Sequence, residues 1–301
     1  MKSNKTLIII VGATAIGKTN LSIQLAKHYQ TEILSVDSRQ FYKEMEIGTA
    51  KPSSKEMQGI PHHFIDSHSI HNEYTVGKFE NDFIKLANSL FETKDVLIAV
   101  GGSGLFVKAI CDGFDDIPTD LTIRENLNKR YENEGLEKLQ NELKDIDPDY
   151  YNKTDIQNSH RIIRALEVYQ CSGKKISDLQ SGAKKKRDFE IIKIGLNLDR
   201  ELLYKRINLR VDMMLEAGLL KEVADLKDYK HLSSLQTVGY QEFWDYFDGK
   251  ISLEEAVELV KRNTRRFAKR QLTWFRKDED INWFEPMQFE KVKEFISKKI
   301  N

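Results

Sequence analysis

The chain has 301 residues, of which 40% are hydrophobic and 31% are charged. That apolar share is enough for a hydrophobic core and excludes a largely disordered protein, while the length suits one large α/β domain or two smaller ones. Lysine plus arginine and aspartate plus glutamate both number 47, so the formal net charge is zero. A neutral total still allows an anionic partner, because the basic residues of this chain are clustered.

The cysteines and the apolar segments predict a cytoplasmic protein. The two cysteines, Cys111 and Cys171, have neither CxxC nor metal-ligand spacing, so we expect free thiols rather than a disulfide scaffold. The apolar run Leu7–Val11 reads as a strand rather than a signal peptide, and no segment approaches the roughly 20 apolar residues of a membrane helix. We therefore expect no association with a membrane.

The first elements predicted along the chain form a βαβ unit. The β-branched run Thr6–Val11 fits a strand buried on both faces, and a glycine loop follows it. Leu21 and Leu25 then recur at helical spacing, and Ile33–Val36 is a second short strand. Further on, Asp95–Gly104 contains another buried strand that ends in a glycine turn.

From Pro118 the sequence becomes charged and helical, with glycine and proline stops. A strand pattern returns at Phe189–Leu198, helices resume near Arg200, and "INWFEP" is a candidate late strand. We therefore predict an α/β protein with a P-loop NTPase-like parallel sheet. Residues 1–117 and 189–301 would form that core with its C-terminal helices, and residues 118–188 an inserted all-helical domain.

The clearest motif is "GATAIGKT", Gly12–Thr19, which fits the pattern G-x-x-x-x-G-K-[ST] between a predicted strand and a predicted helix. Gly12 and Gly17 permit a tight turn whose successive amides form a nest for an anion. Lys18 can neutralise phosphate charge, and the Thr19 hydroxyl can bind Mg²⁺. The motif predicts a phosphate-binding site; a glycine turn that merely caps a helix is the alternative.

Two further positions bear on the reaction. Asp37 and Ser38 follow the second strand at the carboxyl edge of the sheet, where ligands bind. The carboxylate is a candidate general base or Mg²⁺ partner, or it caps the following turn, and position alone does not separate these roles. The strand ending at Val100 runs into "GGSG" rather than into the acid that ATPases use. Motors and GTPase switches are therefore disfavoured, and small-molecule kinases and other phosphate users remain.

A basic block covers Lys261–Lys277, where eight of seventeen residues are Lys or Arg and none is acidic. Phe267, Trp274 and Phe275 add aromatic surface on which bases could stack. The block predicts contact with RNA or phosphate, whereas a solvated helix face is the plain alternative. We interpret Lys184–Arg187 as an exposed loop.

These motifs occur together in one known family. The set comprises "GATAIGKT", "SVDSRQFY", "IGTAKP", "PHHF", "GGSGLF", "HRIIRALEVY", "RINLRVDMMLEAGLLKEV", "QTVGYQE" and "TRRFAKRQLTWFR". In this order, over roughly residues 6–285, the chain resembles the bacterial tRNA dimethylallyltransferases, also called tRNA isopentenyltransferases. The resemblance implies transfer of a dimethylallyl group from dimethylallyl diphosphate to N6 of the adenosine 3′-adjacent to the anticodon, with release of diphosphate. It also implies Mg²⁺ as cofactor, the tRNA anticodon stem-loop as partner, and a monomer without an obligate protein partner.

The resemblance also implies residue roles. Asp37 would be the base, with Thr14 and Arg210 as catalytic contacts near the bridging oxygen and Thr19 at the metal. The diphosphate would be bound by Gly12, Ala13, Thr14, Ala15, Ile16, Gly17, Lys18 and Thr19. The tRNA would be contacted by Asp37, Ser38, Arg39, Gln40, Ser103, Arg124, Arg161 and Arg164.

The sequence departs from the family pattern at four positions, one of which, Ser103 in place of threonine, keeps the hydroxyl. The other three departures change the side-chain chemistry. Ala13 stands for proline, Ile16 for a hydroxyl residue and Phe106 for tyrosine. A small-molecule or nucleoside kinase with the same core would explain the loop but not the basic block. A non-catalytic RNA-binding module would leave the intact loop and Asp37 unexplained.

Overall fold

A computed structural model describes residues 5–115, 117–180 and 182–300. In these ranges the strands are β1 (Thr6–Gly12), β2 (Ile33–Ser35), β3 (His62–His63), β4 (Val96–Gly101), β5 (Glu190–Leu196) and β6 (Asn282–Phe284). The α-helices before β5 are α1 (Lys18–Tyr29), α2 (Ser54–Met57), α3 (Val76–Leu90), α4 (Gly104–Asp112), α5 (Leu121–Glu134), α6 (Leu136–Ile146), α7 (Pro148–Lys153), α8 (Ser159–Ser172) and α9 (Ile176–Leu179). Those after β5 are α10 (Arg200–Glu216), α11 (Leu219–Asp225), α12 (Gln241–Phe247), α13 (Leu253–Phe275) and α14 (Phe289–Ile300), with a 3₁₀ turn at Lys227–Tyr229.

The strands form one sheet in the order β3-β2-β4-β1-β5-β6, and every pairing is parallel. The central strand β1 lies between β4 and β5 and is buried on both faces. Leu7, Ile9 and Val11 pack into one hydrophobic cluster, whereas Ile8 and Ile10 pack into another, as the two-residue period of a strand requires. The predicted α/β parallel fold is confirmed, and the late strand exists as β6.

The parallel arrangement determines where a ligand can bind. In register, Val11 of β1 pairs with Gly101 of β4, and Gly12 pairs with Leu196 of β5. The carboxyl ends of β1, β2 and β4 therefore meet at one edge, which is the ligand-binding edge of open α/β sheets.

The chain divides by contacts into two compact units. One unit comprises the chain through Cys111 and again from Lys186, and contains the sheet; the other is Asp112–Lys185. The sequence pattern predicts the boundaries at residues 118 and 188 instead. In its described residues the smaller unit is helical, around a cluster that includes Leu127, Leu143 and Ile163.

One carboxylate, Glu167 of α8, organises part of the helical unit. Its side chain is fully buried and accepts hydrogen bonds from the Thr119 hydroxyl at 2.7 Å, the Asp120 amide at 3.0 Å and the Arg124 guanidinium at 3.0 Å. Arg164 forms an ion pair with it at 2.9 Å. Burial alone would raise the pKa of Glu167, but these donors lower it below its usual value. The carboxylate is therefore held charged inside the unit.

The predicted exposed loop at Lys184–Arg187 needs a correction at its last residue. Lys184 is exposed, but the Arg187 side chain is buried and pairs with Glu80 at 2.9 Å. It also donates to the carbonyls of Ala109 and Ile110. No helix in the described ranges combines the length and the apolar character needed to cross a bilayer.

Candidate active site

A cavity of about 740 Å³ opens in the sheet-containing unit, at the carboxyl ends of the strands. Its walls come from parts of the chain that are far apart in sequence: the loop Thr14–Thr19, the segment Asp37–Gln40, the turn Gly101–Leu105, and helices α10 and α13. The structure thus brings the glycine loop, the candidate base and part of the basic block to one site.

The loop between β1 and α1 has the backbone that its glycines predict. Gly17 immediately precedes α1 and has a φ of 109°, a left-handed conformation that favours glycine. Because Gly17 has no side chain, none caps the first amides of α1, and the helix N-terminus remains able to bind an anion. The residues that depart from the family pattern, Ala13 and Ile16, are fully buried and pack in the core beneath the loop.

Lys18 folds back over the loop. Its ammonium group donates to the carbonyl oxygens of Gly12 at 3.0 Å and Ala13 at 2.8 Å. Burial lowers the pKa of Lys18 to about 8; Asp37 opposes this shift and Arg210 adds to it. The positive charge is thus held where it is poorly solvated, and an anion that enters the loop would stabilise it.

Two arginines of α10 reach the same region. Arg210 lines the cavity, and burial lowers its pKa. Arg206, one turn earlier, donates to the loop carbonyl of Ile16 at 3.3 Å. Arg210 is therefore placed for direct contact with an anion in the cavity, while Arg206 braces the loop.

Asp37 lies in the cavity wall and also stabilises the turn that follows β2. Its Oδ1 accepts hydrogen bonds from the amides of Arg39 at 2.9 Å and Gln40 at 3.4 Å. The capping role is therefore present. It does not exclude the role of a base, because the carboxylate borders the cavity near the Lys18 ammonium group.

The other residues predicted for RNA contact near Asp37 also make contacts within the protein. Arg39, whose pKa is lowered by burial, donates to the carbonyls of Ser38 and Ser233. The side-chain amide of Gln40 donates from Nε2 to the carbonyls of Thr49 and Ala50, within the "IGTAKP" motif. All of Ser38, Arg39, Gln40 and Ser103 line the cavity. Phe106, the third departure, is buried against Phe41 and Phe79.

Sequence reasoning missed two sets of supporting residues. Gln271 of α13 accepts a hydrogen bond from the Thr14 amide and donates to the Gly102 carbonyl, both at 2.9 Å. Glu222 of α11 accepts from the amides of Ile47 and Gly48 and from the Tyr240 hydroxyl. The sequence offered one signal for Gln271, which is an uncharged polar residue inside a basic block. It could not indicate the partners of Gln271, because Thr14 and Gly102 are far from it in the sequence.

The basic block covers the C-terminal part of α13 and the two residues that follow it, and it has an inner and an outer face. Lys261 pairs with Asp212, and Arg265 bonds Asn208. By contrast, seven of the eight basic residues have no carboxylate within ion-pair distance among the residues that the structure describes. Arg265 and Arg276 bond the side chains of Asn208 and Asn197 instead, and the other five are Arg262, Arg266, Lys269, Arg270 and Lys277.

A shallow surface groove, which we call the basic groove, is lined by Arg266, Lys269, Arg270, Thr273, Trp274 and Lys277. Trp274 and Phe267 are 44% and 39% exposed, so both present aromatic surface. Phe275 is only 2% exposed and packs in the core, so its predicted stacking role is wrong. Arg270 and Trp274 line both the basic groove and the cavity, so the two are adjacent.

The predicted RNA contacts of the helical unit differ in their surroundings. Arg161 is exposed on α8. Arg124 and Arg164 converge on buried Glu167, with their side chains 32% and 30% exposed. Each of these two guanidinium groups therefore has an internal partner that already orients it.

The fold and the cavity define the class: a parallel α/β protein with a glycine loop of the phosphate-binding type after its central strand. The chain matches the family of IPP transferases over residues 40–278. A relative from Christiangramia forsetii named tRNA dimethylallyltransferase is 51% identical over 297 residues, covering 98% of each chain. The chain therefore belongs to the IPP transferase family.

Two solved structures agree with this assignment. The tRNA isopentenylpyrophosphate transferase of Bacillus halodurans has a TM-score of 0.73 and 38% identity, covering 98% of this chain and 97% of that one. A eukaryotic dimethylallyltransferase, described as acting on tRNA, has a TM-score of 0.78 and 28% identity, covering 98% of this chain and 77% of that one.

The lowered pKa of Lys18 predicts how anion binding depends on pH. Bound diphosphate should keep Lys18 protonated, so affinity should be greatest below about pH 8 and fall as the pH rises through that value. At pH 8, the wild type should take up more protons on binding than Lys18→Met. Calorimetry with inorganic diphosphate in two buffers of different ionisation enthalpy measures this difference, with exposed Lys85→Met as control. Equal proton uptake by wild type and Lys18→Met would contradict the assignment.

Proposed function

We propose that this protein transfers the dimethylallyl group of dimethylallyl diphosphate to N6 of the adenosine 3′-adjacent to the anticodon in tRNAs, and releases diphosphate. One observation carries the proposal: a single cavity is lined by a glycine loop of the phosphate-binding type, by apolar side chains and by a carboxylate, and it lies beside the basic groove. Membership of the IPP transferase family supports the same reaction.

The cavity suits a donor with a charged end and an apolar end. Lys18, Arg210 and the loop amides supply the positive end. Val211, Met214, Val238 and Val260 line the cavity as well, and Val211 and Val260 are almost fully buried. We call these four residues the apolar wall. A five-carbon allylic chain would gain about 0.8 kcal/mol for each methylene group it removes from water there.

The reaction needs charge stabilisation more than acid catalysis of a leaving group. The N6 lone pair attacks C1 of the donor while the C1–O bond breaks, and diphosphate leaves with that bonding pair. The N6 proton passes to Asp37, our proposed base. Lys18, Arg210 and the contacts at Thr14 stabilise the charge that develops on the bridging oxygen, and the cavity holds the two reactants in line.

Magnesium fits this site as an ion carried largely by the diphosphate. Among the described residues, no cluster of three or more His, Cys, Asp or Glu side chains could hold a metal. Thr19, exposed at the start of α1, offers one hydroxyl oxygen in the cavity wall. Mg²⁺ commonly keeps several waters and binds one or two protein oxygens plus substrate phosphates. When bound, it would neutralise charge on the leaving diphosphate.

The tRNA would approach along the basic groove. Its exposed cations suit phosphates, and Phe267 and Trp274 offer faces on which an unstacked base can lie. The target adenosine must leave the anticodon-loop stack to reach Asp37. We propose Ser38, Arg39, Gln40 and Ser103 as contacts near the flipped base. In the helical unit, we propose Arg124, Arg161 and Arg164 as contacts with the anticodon stem-loop.

The remaining alternatives explain less of the site. A small-molecule kinase would leave the basic groove without a role. In addition, β4 ends at Gly101 and is followed by Gly102, so the acidic residue that ATP-using enzymes commonly have after this strand is missing. A non-catalytic RNA-binding module would not need a lysine held at an unfavourable pKa beside a phosphate loop.

One assay separates these functions. The protein is incubated with unmodified tRNA and radiolabelled dimethylallyl diphosphate, and separately with γ-labelled ATP and small acceptors. We expect label to enter tRNA from the prenyl donor and not from ATP. Transfer of γ-phosphate to a small acceptor, with tRNA unlabelled, would reject the proposal in favour of a kinase. Binding of tRNA without either transfer would favour the RNA-binding module.

Asp37→Asn tests the proposed base while keeping the turn. The asparagine oxygen can still accept from the Arg39 and Gln40 amides, so the fold should survive. Loss of a general base should reduce the single-turnover transfer rate by roughly 10²- to 10⁴-fold. We expect tRNA affinity within about threefold of wild type, with exposed Asp225→Asn as control. A normal transfer rate at saturating tRNA, combined with strongly weakened tRNA binding, would contradict the role.

The basic groove predicts a salt-dependent contribution to tRNA binding. Replacing both Arg266 and Lys269 with alanine should reduce the slope of log affinity for tRNA against log salt concentration. The reduction should be roughly 1 for each phosphate contact that is lost. Donor binding should not change, because neither side chain lines the cavity. The charge-matched control replaces exposed Lys85 and Lys291 with alanine. The groove is not the RNA surface if both double variants change the slope equally.

A further inference from the structure

We propose that Gln271 is a positioning residue that fixes the phosphate loop against the "GGSG" turn, so that Thr14 is held in the geometry that transfer requires. The catalytic part of this proposal rests on the proposed prenyl transfer. The structural part, a bridge between two loops, does not.

The bridge consists of one side-chain amide with both ends used. Gln271 Oε1 accepts a hydrogen bond from the Thr14 amide, and Nε2 donates to the Gly102 carbonyl, each at 2.9 Å. The side chain is only 7% exposed. Buried hydrogen bonds of this kind are costly to break, because the partners are then left unsatisfied. The two ends of the amide hold the loop after β1 at a fixed distance from the turn after β4.

Gly102 is the residue that makes room for this amide. A Cβ built on Gly102 would collide with Gln271 Nε2, whereas the Gly12 carbonyl oxygen lies farther away, at 3.6 Å. The backbone of Gly102 is not in the left-handed region, so its conformation alone does not require glycine. The absence of a side chain at Gly102 is therefore explained by the presence of Gln271.

The position of Gln271 on α13 links the two halves of the proposed reaction. The adjacent Arg270 and the nearby Trp274 line both the cavity and the basic groove. Thr14, at the other end of the amide, belongs to the loop proposed to hold the diphosphate. The helix that faces the RNA is thus joined to the loop that faces the donor by a single side chain.

The first test separates positioning from binding. Gln271→Met keeps most of the side-chain volume and removes both hydrogen bonds, while Gln271→Glu keeps the acceptor for Thr14 and removes the donor to Gly102. We expect each to reduce kcat for transfer by roughly 10- to 100-fold, since small misplacements cost that much. In Gln271→Met, which introduces no charge, Lys18 and Arg210 remain, so the Kd for inorganic diphosphate should change by less than about threefold. Gln24→Met, exposed on α1, is the matched control.

Two results would overturn the positioning role. One is an unchanged kcat in Gln271→Met; the other is a decrease in diphosphate affinity as large as the decrease in kcat, which would make Gln271 a binding residue. Hydrogen exchange at the Thr14 amide provides a readout independent of prenyl transfer, and it should accelerate in Gln271→Met. If the wild type fails to prenylate tRNA, the proposed function is rejected. The bridge between the two loops is tested separately, and it is rejected if exchange at the Thr14 amide is the same in Gln271→Met as in wild type.

A double-mutant cycle tests the fit between Gly102 and Gln271. Gly102→Ala should reduce kcat at least tenfold in wild type, because the new methyl group displaces the amide. In a Gln271→Ala background the same change should have little further effect, since the colliding atom is gone. Melting temperatures of the three variants show whether each remains folded. Fully additive decreases in log kcat among folded variants would show that the two residues act independently and would reject the proposal.

Discussion

The poor solvation of Lys18 is the constraint on which the rest of the site depends. A shift of its pKa from 10.5 to about 8 corresponds to a free-energy cost of roughly 3 to 4 kcal/mol for keeping the side chain charged, at about 1.4 kcal/mol for each pKa unit. This cost remains although the nearby Asp37 opposes the shift and the carbonyls of Gly12 and Ala13 accept hydrogen bonds from the ammonium group. A bound diphosphate would relieve it, and so would the diphosphate that develops charge as the C–O bond breaks. The loop would therefore stabilise the diphosphate most strongly at the stage of the reaction where negative charge develops on it.

Such a loop is useful only if the rest of the site is brought to it, and the parallel sheet does this. Because β1, β2 and β4 end at the same edge, Lys18, Asp37 and the "GGSG" turn converge although they are far apart in sequence. Helices α10 and α13 then cover the edge and add Arg210 and three of the four residues of the apolar wall, Val211, Met214 and Val260. The "IGTAKP" segment is held in place by Glu222, which accepts hydrogen bonds from its backbone amides.

The sequence could predict whatever depends on local pattern. The β-branched run of β1, the glycine loop and the position of Asp37 after β2 follow from periodicity and turn chemistry, and the parallel fold follows from them. Side-chain partners could not be predicted in the same way. Gln271 meets Thr14 across 257 positions, and Arg187 meets Glu80 across 107. Phe275 is predicted to be outside and lies in the core, because the inward face of α13 is set by what packs against it. The domain boundaries and the residue roles remain predictions.

The turn after β4 shows how one backbone position can serve different chemistry. In ATPases the corresponding strand ends in an acid that helps to hold Mg²⁺ and polarise water. Alkyl transfer to an amine needs no activated water, and a carboxylate there would repel the departing diphosphate. With glycine at position 102, the backbone instead accepts a hydrogen bond from the amide of Gln271. The same glycine that leaves no acid for hydrolysis thus gives Gln271 a backbone partner, so that the helix which carries the basic groove also holds the glycine loop through the Thr14 amide.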